Sequence, residues 1–390
     1  MENKPNRNIW IDYLRSAITF LVVAHHSALA YTTWANFDKV AYIRSTHAVV
    51  DTKRWIGLDV LVNFNDVFFM SLMFLIGGLF LTKSIKKKGT VSFIKDRVYR
   101  LLIPFLILGT IFMLIAYFPA YYIAHNSINI VDYLKDFFIV EQWPVGPPWF
   151  LWVLFIFNLV FAICYTIGRT VKTGFGFVYL QNKPVLFYIV LFVLTWLLYV
   201  PISYNIGASN WTGFYPFDFQ LNKILLYFGY FLVGILIGNS DFNNGLLSVN
   251  SAIVKSWLLW VLLAFTVFAS LTIIPKYLGE MVRSQTLTAF SSSMIYYSIY
   301  AASCSLSCIA FISTFRTKIE TERVCWNSLS ENAYLIYLTH FVFITWTQFF
   351  LLKFDIPAFL KFIITFIITI GLSWWTSKLL RKFSLINKYL

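Results

Sequence analysis

Arg15 and His26 stand eleven residues apart inside one apolar run, residues 11–34. On an α-helix that spacing is a net rotation of about 20° and a rise of about 16 Å, so the two share a stripe three turns apart. His25 falls about 80° off the stripe. Asp12 precedes Arg15 by three residues and can pair with it. One face thus carries a carboxylate and a guanidinium near one end and an imidazole near the middle. Ionisable groups are costly in a membrane span and normally face a cavity or a pathway. An imidazole there could take a proton from a hydroxyl, relay protons or bind a metal. His47, His125 and His340 lie in other segments without ligand spacing, so no metal site is expected. The plain alternative makes Asp12 and Arg15 interfacial anchors and His26 a buried hydrogen-bonding group.

Other segments carry polar groups that such a face could use. Arg97 and Arg100 are i and i+3, with Lys83, Lys86, Lys87 and Lys88 close by in sequence. Guanidinium groups bind phosphate bidentately, so this cluster suits a phosphorylated ligand; topology and anionic lipid are the competing explanations. Asp66, Trp149, Tyr334, Tyr337 and His340 are the candidates to line a substrate cavity. Tyr337 and His340 can share a helix face, although either could serve only as interhelical glue.

The elements that must position these groups are membrane helices. Of 390 residues, 59% are hydrophobic and 12% charged, against about a quarter charged in soluble domains. Ten runs approach the roughly 20 apolar residues of a span: 11–34, 64–81, 101–123, 149–167, 184–202, 221–238, 256–274, 290–315, 334–352 and 357–380. The fold class is all-α, a polytopic bundle of about ten transmembrane helices, and residues 1–390 read as one membrane domain without a separate soluble one. With the N-terminus inside, 20 of the 31 Lys and Arg fall on the cytoplasmic side, 10 outside, and Arg15 within the first run. That bias places both termini in the cytoplasm.

The net charge of +14 is therefore assigned to orientation and anionic headgroups, with no nucleic acid as partner. Cys164, Cys304, Cys308 and Cys325 make no disulfide framework, and Cys304 and Cys308 read as small packing residues. Lys4, Arg7 and the Ala28-Leu29-Ala30 triplet imitate a signal peptide, but Asp12, Arg15, His25 and His26 oppose it. Two loops stand out. Residues 124–148 hold an amphipathic piece, 131–140, and are expected to cap the outer face. Residues 203–220 are rich in Asn, Gly, Ser, Trp and Tyr and free of Lys and Arg, a composition that suits carbohydrate or any interfacial contact.

At these residues the chain resembles the acyltransferase 3 family of membrane acyltransferases. Arg15 followed by His26 is similar to its first-helix signature, with Asp12-Tyr13-Leu14-Arg15 leading in. Arg97-Val98-Tyr99-Arg100 before Pro104 resembles its paired arginines. Phe68 to Gly78 resembles its aromatic second span, with Gly77-Gly78 where a Ser-Gly pair is common. Trp149-Phe150-Leu151 resembles the motif opening its fourth span, and Tyr334 to His340 its late Tyr-x2-Tyr-Leu-x-His. The resemblance covers nearly the whole chain in order, and is to stand-alone members, the glucan succinyltransferases included.

The resemblance implies acyl transfer from cytoplasmic acyl-CoA, as acetyl-CoA or succinyl-CoA, to a hydroxyl of an extracytoplasmic carbohydrate or glycan. It implies a multi-pass protein of a bacterial plasma or inner membrane, with acyl-CoA as co-substrate and no bound cofactor. His26 and Arg15, held by Asp12, fall in the catalytic site, and Arg97 and Arg100 on the CoA side. Acetyl is expected over succinyl, because an acid donor would want a further cation and Lys39, Arg44 and Arg54 are only loosely placed for it. A homo-oligomer is compatible with this. Two other readings compete: a transporter or flippase coupled through Arg15 and His26, for which no inverted repeat is visible, and a non-catalytic scaffold that would tolerate loss of both residues.

Overall fold

The computed structural model describes residues 8–168, 179–180, 182–240, 242 and 245–390. Lys4, Arg7, Arg169 and Lys172 of the cytoplasmic count lie outside the described residues. The chain runs α1 (Ile9–Leu29), α2 (Ile56–Gly78), α3 (Leu81–Lys88), α4 (Thr90–Arg97), α5 (Thr110–His125), α6 (Ile130–Lys135), α7 (Trp149–Gly168), α8 (Pro184–Ile206) and α9 (Ile224–Gly238). It continues α10 (Ala252–Lys255), α11 (Trp257–Arg283), α12 (Ala289–Lys318), α13 (Val324–Leu351), α14 (Ala358–Leu380) and α15 (Ser384–Tyr389). Two short strands, β1 (Trp211–Thr212) and β2 (Phe219–Gln220), pair antiparallel in the outer loop between α8 and α9.

Among the described residues nine helical stretches are long and apolar enough to cross a membrane. The tenth expected span, α1, has the length at 21 residues but is too polar to join them. It lies inside the bundle against α2, α12, α13 and α14, and none of its residues is exposed. Its charged groups, Asp12 and Arg15, lie in its first two turns with side chains 25% and 43% exposed, so neither charge is fully buried. By contrast α11 turns Leu258, Leu259, Leu262 and Phe265 outward, as a lipid face requires.

Several ends depart from the expected runs. The second span begins at Ile56, not residue 64, which puts Asp66 near its middle rather than its outer end. The third begins at Thr90 and carries two widened turns, Val98–Leu102 and Phe105–Gly109, where backbone hydrogen bonds reach five residues back. Such turns concentrate at functional sites. The ninth begins ten residues early, at Val324. Two cations counted in outer loops are not loop charges. Lys223 pairs with Asp66 at 2.6 Å and Lys361 with Asp51 at 2.5 Å, both ammonium groups being buried. Removing them from the outside total strengthens the inward bias.

The segment 131–140 is amphipathic in the structure. Within 131–140, Tyr133, Asp136 and Phe137 face inward and most of the remainder faces out. Asp136 accepts the Tyr42 hydroxyl at 2.7 Å, and the buried Glu141 carboxylate accepts the N–H groups of Tyr42 (2.9 Å) and Ile43 (2.6 Å). These bonds tie the cap to the loop between α1 and α2. Cys304 and Cys308 are buried packing residues, with Cys304 Sγ 3.6 Å from both Ser71 Oγ and Tyr230 Oη.

Candidate active site

The bundle fixes α1 through polar contacts with its neighbours, and so fixes His26. Near the N-terminal end of α1 the Tyr13 hydroxyl donates to Asn327 Oδ1 (2.7 Å) and accepts the Arg323 N–H (2.8 Å). Farther along, Asn65 Nδ2 on α2 donates to the Leu21 carbonyl at 3.1 Å. Gln348 Nε2 on α13 donates to the carbonyls of Ser27 (3.2 Å) and His26 (3.4 Å). Such side-chain to backbone bonds hold helices together where lipid supplies no hydrophobic drive.

Four imidazoles gather at that level. The His26 ring centre lies 5.3 Å from His25, 5.4 Å from His340 and 6.3 Å from His47. Phe341 packs edge-on against His26 at 5.5 Å, and Phe69 lies 5.2 Å from His25. His25 Nδ1, His26 Nδ1, His47 Nε2 and His340 Nε2 are buried and have no hydrogen-bond partner among the described residues. His340 Nδ1 lies 2.6 Å from the Tyr337 carbonyl oxygen. A carbonyl only accepts, so Nδ1 carries the proton and Nε2 presents its lone pair. His47 Nδ1 lies 3.3 Å from the Val49 carbonyl, to which it would donate, and 3.5 Å from the Val49 amide, from which it would accept, so the site accommodates either tautomer. Burial holds the His47 imidazole down to about 3, so it is neutral at physiological pH.

The other expected residues divide between this cluster and its surroundings. Asp12 and Arg15 pair at 3.6 Å, three turns from His26 towards the N-terminus of α1. Tyr337 stays with the cluster, its ring 5.8 Å from His340, and its hydroxyl donates to the Pro147 carbonyl. Tyr334 turns towards the basic cluster, donating to the Arg100 carbonyl at 2.6 Å. Asp66 pairs with Lys223 within electrostatic reach of His25, and the Tyr300 hydroxyl donates to its backbone carbonyl at 3.1 Å. Trp149 packs instead against Trp211 (5.5 Å) and Tyr227 (5.8 Å), beneath the hairpin.

Arg97 and Arg100 share an organiser that sequence reasoning passed over. Asp96 accepts Arg100 Nε at 3.0 Å and Lys88 Nζ at 3.1 Å, and lies 3.8 Å from Arg97 Nη1. The Asp96–Arg100 spacing, i to i+4, was the available signal. Arg97 also stacks its guanidinium over Phe93 at 4.8 Å. Tyr334, Tyr337 and His340 then line α13 from this cluster to His26, over a rise of about 9 Å. His25 and His47 were set aside in the sequence, the first by helical phase and the second for want of spacing. No local pattern could have found His47, whose partner ring is 21 positions away. Among the described residues no three His, Cys, Asp or Glu side chains are arranged to hold a metal ion.

A polytopic α-helical bundle with an enclosed histidine cluster and a basic cluster along one helix defines a membrane protein built to do chemistry inside its helices. The acyltransferase-domain family model, acyltransferase 3, matches residues 8–378, and the chain belongs to that family. It is therefore a multi-pass membrane enzyme that transfers acyl groups. Neither a curated protein nor a solved structure matches it.

Proposed function

We propose that the enzyme moves an acetyl group from cytoplasmic acyl-CoA to a hydroxyl of an extracytoplasmic carbohydrate. The observation that carries this reading is the line of α13 residues joining the Arg97–Arg100 cluster to His26. Phosphate groups of CoA would bind at the arginines, and the extended pantetheine arm would reach inward along α13. His26 would take the proton from the acceptor hydroxyl as its oxygen attacks the thioester carbonyl. The carbon–sulfur bond then breaks, and the proton passes from His26 to the CoA thiolate. One thioester becomes one ester, without net proton release. Arg15, held by Asp12, would orient the carrier near the cytoplasmic side.

Acetyl is preferred over succinyl because Arg54 is already committed. Its Nη1 donates to the Ala30 carbonyl at 2.7 Å and its Nη2 to that of Ala35 at 3.1 Å. The hairpin supports a carbohydrate acceptor by exposing Trp211, Phe214 and Tyr215, the kind of faces on which sugars stack.

Mass spectrometry of cell glycans tests the reading. His26→Ala and Arg15→Ala are each expected to remove the ester while the protein still reaches the membrane; full ester content in both would overturn it. Binding of acetyl-CoA to purified protein, lost in Arg97→Ala, separates it from transport, which would need no CoA.

A further inference from the structure

His47 is not part of the reading above. It comes from the outer loop between α1 and α2, and is 4% exposed. Its ring lies 6.3 Å from His26 and 5.0 Å from Phe341. The loop that carries it is held unusually firmly for an outer loop. Glu141 caps Tyr42 and Ile43 on one side, and the buried Asp51–Lys361 pair anchors the other. Arg54 and the Asp51 amide add bonds to the Ala30 carbonyl at 2.7 and 3.0 Å. This scaffold presents a buried ring nitrogen, His47 Nε2, beside His26, with no partner among the described residues. His340 Nε2, which presents a lone pair, is a second such atom. Buried polar atoms without partners are costly, so the ligand that completes the site must bring hydrogen-bonding groups.

We infer that His47 is an acceptor-binding residue: its Nε2 hydrogen-bonds the hydroxyl next to the one His26 deprotonates. The acceptor is accordingly a vicinal diol of a sugar ring rather than an isolated alcohol. The inference rests on the acyl-transfer reading and narrows its substrate. His47 makes no bond in the reaction; it sets which hydroxyl stands at His26, and Phe341 packs edge-on against both rings.

The test compares His47→Ala, His47→Gln and His26→Ala in cells and as purified protein in lipid nanodiscs. The wild-type ester is expected on a ring hydroxyl with a hydroxyl neighbour, located by mass spectrometry. His47→Ala should lower ester content about tenfold, the scale of one lost hydrogen bond in a buried site, while acetyl-CoA binding stays unchanged. His47→Gln keeps an acceptor oxygen and should retain more ester than His47→Ala. Wild-type ester on an isolated primary hydroxyl, full ester content in His47→Ala, or loss of acetyl-CoA binding in both His47 variants would each overturn the inference and leave the acyl-transfer reading standing. Ester content independent of His26 would overturn that reading, and the inference with it.

Discussion

Lys361→Met is the perturbation whose magnitude the structure sets most directly. Lys361 Nζ lies 2.5 Å from Asp51 Oδ2, and the two side chains are 1% and 3% exposed. Asp51 Oδ1 accepts the Lys53 N–H at 2.9 Å, so the carboxylate sits in one geometry. Removing only the ammonium leaves a buried carboxylate without its cation, which costs about 3–5 kcal/mol. Replacing both groups, as Asp51→Asn with Lys361→Met, removes the uncompensated charge and is expected to return stability to within about 1 kcal/mol of wild type. A second ion pair joins the same segments, between Lys53 and Asp355, but both groups are on the surface. Lys53→Ala is expected to leave stability unchanged. Denaturant unfolding in detergent micelles, followed by tryptophan fluorescence, measures all four proteins. The reasoning fails if Lys361→Met costs less than the surface variant, or if the double variant is as unstable as the single one.

Glycine substitutions should divide sharply by position. Gly238→Val would drive a side chain into the Leu79 carbonyl where α9 crosses α2 and should abolish folded protein, whereas Gly279→Ala meets open space and should stabilise by about 0.5–1 kcal/mol; size-exclusion profiles and thermal midpoints check both. Arg100→Ala should weaken acetyl-CoA binding about tenfold and flatten its salt dependence, measured by titration at low and high ionic strength. Cys325 is exposed in the first turn of α13, the end that the bias of basic residues assigns to the cytoplasm, while Cys304 and Cys308 are buried. A membrane-impermeant maleimide should reach Cys325 in inverted vesicles and not in intact cells, and the buried pair only after denaturation; labelling of Cys325 in intact cells would reverse the assigned orientation.

Hydropathy is a local property, and the spans were legible because each run carries its own transfer free energy. The same locality hid their ends. Polar residues such as Asn63 and Asp59 mask the first turns of α2 in the sequence, and Ser328, Glu331 and Asn332 mask those of α13, because a helix packed in a bundle can continue through them. Helical phase was also local, so the Asp12–Arg15 pair and the position of His26 could be worked out from spacing. Phase separates His25 from the Arg15 stripe but says nothing of its surroundings, and its ring lies 5.3 Å from His26.

By itself, then, the sequence determined that this chain crosses a membrane many times, that α1 carries ionisable groups along one stripe, and that basic residues gather near Arg97. Only the tertiary structure decided which groups meet. His26 and His340 are 314 positions apart, Asp66 and Lys223 are 157, and Asp51 and Lys361 are 310. Contacts between segments so distant depend on how whole helices cross and where their small residues let them approach. No spacing rule along one helix contains that information.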